Sequence, residues 1–231
     1  MAHVSKRMKE AKKLHDKDKQ YDIVEAIELL QKCPQVKFDQ TLELSIKLGV
    51  DPKKADQLVR GTVSLPHGTG KKIKVLVIAK GEKAQEALDA GADYAGDEEY
   101  FKKIQGGWLD FDAVIATPDM MREIGKLARI LGPRGLMPTP KAGTVTTDIT
   151  KAVTEIKAGK IEYKVDKNAV INNGVGKLSF SKEKLEQNVR ELIAAIVKAK
   201  PSASKGAYVL GLSIASTMGP GCKINLREVA N

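Results

Sequence analysis

The stretch Ile73-Lys74-Val75-Leu76-Val77-Ile78-Ala79 carries one polar residue in seven, and its reading decides the class of fold. A short, continuous apolar run reads as a strand buried on both faces. Helix and strand signals alternate after it. A helix is expected over 82–90, Gly91 stops it, and a short strand at Tyr94-Ala95 leads to a helix near 98–105. FDAVIA (111–116) repeats the buried-strand texture, and a helix is expected over 119–130. Strand-helix alternation with buried strands predicts a small three-layer α/β unit with a mainly parallel sheet. GPRGLMPTPKAG (132–143) is too rich in Gly and Pro for regular structure, a helix near 149–158 closes the segment, and Gly159 breaks the chain.

Outward from this unit the texture changes. Upstream, Leu42, Leu44, Ile46 and Leu48 alternate with Glu43, Ser45 and Lys47, the period of a half-buried strand. Before it, Asp22 stands three residues ahead of Glu25, which resembles a capping box opening a helix over 23–32 that Pro34 ends. Residues 5–19 read as an exposed helical arm rich in Lys and Arg, and RGTVSL (60–65) as a strand stopped by Pro66-His67-Gly68-Thr69-Gly70. Downstream, 161–165, 169–171 and 177–180 read as short strands, with Asn172-Asn173-Gly174 as a hairpin-like turn. An amphipathic helix is expected over 182–199, then a strand over 207–214, the loop STMGPG (216–221) and a last short strand.

The chain has 231 residues and a formal charge of +10, distributed unevenly. Residues 68–158 hold 14 Lys+Arg and 13 Asp+Glu, whereas 1–67 hold 13 and 10, and 159–231 hold 12 and 6. A polyanion is drawn to the two ends and largely ignores the middle. Cys33 and Cys222 form no CxxC pair and read as reduced, small apolar residues. The N-terminus lacks the apolar segment of a signal peptide, and no stretch approaches the roughly 18 apolar residues of a membrane span, so a cytoplasmic, membrane-free protein is expected.

Catalytic signatures are missing. HGTGK (67–71) has the wrong spacing for a phosphate loop and precedes a strand, and no GxGxxG comes after residues 73–79. The three histidines, His3, His15 and His67, lie at no metal spacing, so no metal, cofactor or catalytic residue is expected. Three polar clusters stand at the mouths of strands: Lys37-Phe38, Asp166-Lys167-Asn168 and STMGPG. In the last, Met218 is poor core material, the glycines allow close approach of a ligand, and Thr217 can donate to a sugar hydroxyl or a phosphate; a plain turn is the alternative.

Several long motifs, in order, then carry a resemblance: KFDQT (37–41), RGTVSLPHGTGK (60–71), FDAVIATPDMM (111–121), LGPRGLMPTPKAGTV (131–145), KAGKIEYKVDK (157–167), KAKPSASKG (198–206) and STMGPG (216–221). Over nearly its whole length the chain resembles the L-one family of large-ribosomal-subunit proteins. The resemblance implies an α/β protein in which residues 1–67 and 159–231 form one discontinuous α+β RNA-binding domain, with 68–158 inserted as a Rossmann-like α/β domain. It implies a non-enzymatic, cytoplasmic ribosomal protein, monomeric when free. Such a protein binds large-subunit ribosomal RNA, forms the mobile stalk at the exit site, assists release of deacylated transfer RNA and represses its own operon messenger.

Carried over by position, the ribosomal and messenger RNA site is Lys37, Phe38, Thr41, Asp166, Lys167, Thr217, Met218 and Gly219. The wide RNA minor groove offers 2′-hydroxyls and shape, which suit Thr and a flat apolar contact, while lysines position phosphate. Lys53, Lys54, Gln57 and Arg60 are expected to face transfer RNA. Pro66, His67, Gly68, Gly70, Ala158 and Gly159 are expected to act as hinges. Two other readings stay open on the residues themselves: a free messenger-binding regulator, and a nucleotide-dependent enzyme using the α/β middle.

Overall fold

The computed structural model describes residues 5–229, apart from the side chains of residues 98, 228 and 229. The first elements are α1 (Lys6–Leu14), β1 (Gln20–Tyr21), α2 (Ile23–Lys32), β2 (Thr41–Leu48) and β3 (Arg60–Ser64). The middle holds β4 (Val75–Ile78), α3 (Glu82–Asp89), β5 (Tyr94–Gly96), α4 (Glu98–Gln105), β6 (Ala113–Ala116), α5 (Met121–Ile124), α6 (Ala128–Leu131) and α7 (Ile149–Ala158). The last are β7 (Lys160–Lys164), β8 (Val170–Lys177), α8 (Lys182–Lys198), β9 (Val209–Ser216) and β10 (Gly221–Ile224). The α/β class expected from the strand-helix alternation is the class found. Two compact units result: the described residues up to 70 together with those from 162, and residues 71–161.

In the first unit a five-stranded sheet runs β1-β10-β9-β2-β8. β2 is antiparallel to both β8 and β9, and its even positions Leu42, Leu44, Ile46 and Leu48 are all buried. Burying each removes a side chain from water at a gain of about 2 kcal/mol. The helices α2 and α8 supply the opposing apolar stripes: Ile23, Ile27 and Leu30 from one, Leu185, Val189, Leu192 and Ile196 from the other.

The second unit has a parallel sheet of order β5-β4-β6. All four residues of β4 are buried because both faces are covered. Val75 and Val77 pack with Ala87 of α3 and Val153 of α7; Leu76 and Ile78 pack on the other face with Ile104 of α4, Ile124 of α5 and Leu131 of α6.

Four local expectations change. Asp22 precedes α2 but makes no side-chain cap bond, so the capping box is a sequence coincidence here. The arm at 5–19 is helical only to Leu14, where its C-cap His15 turns extended. The helix expected over 119–130 is a series of short 3-10 and α turns from Pro118 to Leu131, with the backbone departing from α geometry at Met120 (φ −83°, ψ −11°) and Leu127 (φ −91°, ψ 0°). Asn172-Asn173-Gly174 is not a turn: it lies inside β8, with a register irregularity opposite Leu42/Glu43. The turn sits earlier, at Asp166–Ala169. There Asp166 Oδ1 accepts from the backbone N–H of Asn168 and of Val170, both at 2.8 Å, and Ala169 takes a left-handed φ of 61°. An aspartate that satisfies its own turn outcompetes the Asn-Gly signal.

Candidate nucleic-acid interface

The polar residues at one end of the first unit's sheet are tied across three strands. Thr41 opens β2 and pairs with Lys177, the last residue of β8; its neighbour Leu42 pairs with Ser216, the last of β9. The Thr41 backbone N–H donates to Thr217 Oγ1 (3.0 Å), Thr217 Oγ1–H donates to Thr41 O (3.2 Å), and the Thr217 N–H donates to the same carbonyl (3.1 Å). This reciprocal clamp fixes the loop after β9. Lys177 Nζ reaches Thr41 Oγ1 (3.1 Å) and Asp39 O (3.2 Å), and Asp39 accepts from Ser179 Oγ–H (2.7 Å).

Beneath the loop lies Gln40, 2 % exposed. Its Oε1 accepts the Met218 N–H (3.1 Å), its Nε2 donates to Gln35 Oε1 (3.1 Å), and its carbonyl takes the Leu178 N–H (2.9 Å). Gly219 completes a tight turn by donating to Ser216 O (2.9 Å); a Cβ there would lie 2.1 Å from Ser216 Oγ. Two large apolar side chains are left outside. Phe38 is 54 % exposed and Met218 47 % exposed, beside this bonded backbone. Lys37 is exposed next to Phe38 in the chain. A rigid apolar platform flanked by lysines can stack on a sugar or base face while the cations meet phosphate.

Of the eight residues expected to bind ribosomal RNA, Thr41, Thr217, Met218 and Gly219 are joined by these bonds, and Lys37 and Phe38 precede Gln40 in the segment leading to the same end. Asp166 and Lys167 do not join them. β8 runs antiparallel to β2, so Val170 faces Lys47 while Lys177 faces Thr41. The turn at 166–169 thus sits at the far end of β2, roughly 24 Å from Thr41 at 3.4 Å per residue. Gln40, Asp39, Lys177 and Ser179 are additions that the sequence reading missed. Gln40 and Asp39 lie inside the KFDQT motif and could have been included. Lys177 and Ser179 have no local signal, since only strand pairing brings them there.

That far end has its own character. Lys53 and Lys54 are exposed in the loop after β2, whose shape is held by Asp51 Oδ1 accepting the Lys53 N–H (3.1 Å) and Gln57 Oε1 accepting the Asp51 N–H (2.8 Å). Arg60 Nε donates to Glu162, so its charge is shared within the β3–β7 pair. Ser204 Oγ–H donates to Gly49 O (3.4 Å), which brings exposed Lys205 alongside. Tyr208, 7 % exposed, donates from its hydroxyl to Ile196 O (3.2 Å), and burial pushes its pKa up to about 12.

The residues expected to hinge are well anchored in part. Asn188 of α8 accepts the His67 N–H (3.2 Å) and donates to Gly68 O (2.9 Å) and Val175 O (2.7 Å). Gly70, at φ 71°, leaves no room for a Cβ against Lys177 and Phe180. Ala158 and Gly159 end α7, with Gly159 as a left-handed cap at φ 108°.

A family model described as the ribosomal protein L1p/L10e family matches residues 29–220, which include both arms of the clamp. The chain belongs to that family. Curated relatives align with almost the whole chain. One from Protochlamydia amoebophila, named large ribosomal subunit protein uL1, is 65 % identical over 228 residues, covering 99 % of this chain and 97 % of its own. Relatives of the same name from Chlamydia caviae and Chlamydia trachomatis serovar D are 56 % and 55 % identical over 229 residues, 99 % of each chain. The family is one of ribosomal proteins, and the chain is accordingly not an enzyme.

Proposed function

We propose that the protein is a large-ribosomal-subunit component whose first unit is its RNA-binding domain and whose second unit is an inserted domain. The grip is the end of the sheet around Phe38, Thr41, Thr217, Met218 and Gly219, and its ligand is a stem and loop of large-subunit ribosomal RNA. The observation that carries this reading is the threonine clamp, which immobilises the backbone beside the exposed Phe38 and Met218 and brings Lys177 to the same end. Charge supports it: the first unit holds 24 Lys+Arg against 16 Asp+Glu, the second 15 against 13. Electrophoretic mobility shifts of the full chain on a ribosomal RNA stem test it. Met218→Ala should weaken binding by on the order of 1–3 kcal/mol; an unchanged affinity removes the loop from the site.

The same grip serves repression of the operon messenger, because an RNA with the same local structure competes for the same face. The far end, with Lys53, Lys54, Lys167 and Lys205, is the transfer RNA face of a mobile exit-site stalk. There, Asp166 acts as the turn's internal acceptor. The hinge segments of that stalk lie at Gly70 and at Ala158–Gly159, because Asn188 pins His67 and Gly68 before them.

A further inference from the structure

The inserted parallel sheet contains a feature that RNA binding at the other unit leaves unused. The chain passes from β4 through α3 to β5 on one side, then through α4 back across to β6 on the other side of β4. α3 packs on one face and α4 on the opposite one. The segments leaving the carboxyl ends of β4 and β6 consequently diverge, which opens a crevice where parallel α/β sheets accept ligands. Here the crevice is a cavity of about 290 Å³ lined by Lys80, Glu82, Lys83, Thr117, Asp119 and Met120.

Its walls are chemically asymmetric. Gly81 precedes α3 at φ 59°, ψ −131°, a conformation open to glycine, and no side chain caps the helix; the Ala84 N–H turns back to Gly81 O (3.1 Å), which leaves the N–H groups of Glu82 and Lys83 at the helix end. Lys83 adds a cation to that end. Thr117 is 3 % exposed and lines the cavity, and its backbone N–H donates to Ile78 O (3.2 Å). Its hydroxyl neither caps the turn at Pro118–Met120 nor hydrogen-bonds to another group among the described residues. Thr117 lines the cavity and its hydroxyl has no protein partner among the described residues, so a ligand there can take its hydrogen bond. Met120, fully buried, forms an apolar floor.

The charges limit the occupant. A bare anion suits Lys83 and the helix N-terminus but is repelled by Glu82 and Asp119. A neutral sugar suits the carboxylates and leaves the cationic end unused. One molecule satisfies both: a phosphate at the α3 N-terminus and Lys83, joined to a polyol whose hydroxyls meet Asp119 and Glu82. The volume is at the low end of small-molecule sites, roughly 300 Å³, and has no room for a dinucleotide. We infer that this crevice is a binding site for a ribose phosphate, taken either as a free sugar phosphate or nucleotide or as a residue of an RNA strand.

The test is titration of the full chain with ribose 5-phosphate, monitored by amide chemical shifts and by calorimetry, with ribose and inorganic phosphate as separate arms. Saturable binding that moves the amides of residues 80–83 and 117–120 is expected. Thr117→Val and Lys83→Gln, each confirmed as folded by circular dichroism, should weaken it roughly tenfold or more. No saturable binding overturns the proposal. So does equal binding of inorganic phosphate alone, or binding that both variants leave unchanged, which would be attraction to scattered surface lysines. A short single-stranded RNA displaces ribose 5-phosphate from these amides if the natural source is a strand, and leaves it in place if the source is free; either result keeps the site.

Discussion

Gln40 shows how one buried polar residue sets the shape of an exposed loop. Its side-chain amide and its carbonyl are all engaged, so Gln40→Ala removes the partner of the Met218 N–H and of Gln35 Oε1. A loss of about 1–3 kcal/mol is expected in urea unfolding, with RNA affinity falling as well because Met218 loses its support. Gly219→Ala differs in kind: the added Cβ collides with Ser216 Oγ, so RNA binding should drop with a smaller change in stability. Cys222 illustrates burial acting on titration. Burial pushes its thiol up to about 11 from an ordinary value of 9.0. The folded state therefore favours the neutral thiol, and this contribution is present below pH 9 and lost as pH rises through the folded value. Cys222 should resist a thiol reagent at pH 8 in the native protein and react on unfolding; fast native labelling would contradict this burial. At this scale KFDQT and STMGPG were legible as candidates, because exposed Phe and Met beside Lys, Thr and Gly are poor core material. Their bonding to each other was not.

At the scale of elements, α8 does more than cover the sheet. Its Asn188, fully buried, holds the chain leaving β3 and the backbone of β8 at once. Asn188→Ala should cost about 1–3 kcal/mol, read as a lower urea midpoint with an unchanged slope. In the second unit, Asp93 joins β4 to α7 by accepting the Val75 N–H (3.0 Å) and pairing with Lys157 (3.1 Å). The Val75 bond, then the Lys157 partner, hold its pKa below the ordinary 3.8. Stability from this group is thus present above pH 3.8 and is lost as pH falls through the folded value. Asp93→Asn should flatten that acid limb, measured by thermal melts across pH 2–5, with a limb identical to that of the parent protein as the contrary result. Element positions such as 23–32, 41–48 and 182–198 were legible because their periods are local. The true turn at Asp166–Ala169 was hidden by the stronger-looking Asn-Gly pair, since a short polar cluster scores alike as a turn or as an edge position.

For the whole molecule, the charge division and the clamp together predict where salt sensitivity resides. Binding to ribosomal RNA should weaken linearly in log affinity against log salt, and a Lys37→Gln variant should reduce the slope by about 1. A chain joining residues 1–70 to 162–231 through a flexible linker should retain RNA binding; transfer of binding to 71–161 would refute the assignment of the grip. By itself the sequence determined the α/β class, most element positions and the concentration of positive charge outside the middle, because hydrophobic period and charge are read within a few residues. Only tertiary structure decided which residues meet. Thr41 lies 176 residues from Thr217 and 136 from Lys177, and strand pairing alone makes them neighbours. The same antiparallel register carried Asp166 and Lys167 to the opposite end of β2. Register is a long-range choice among pairings of similar local sequence, and the buried faces of β2, α2 and α8 make that choice.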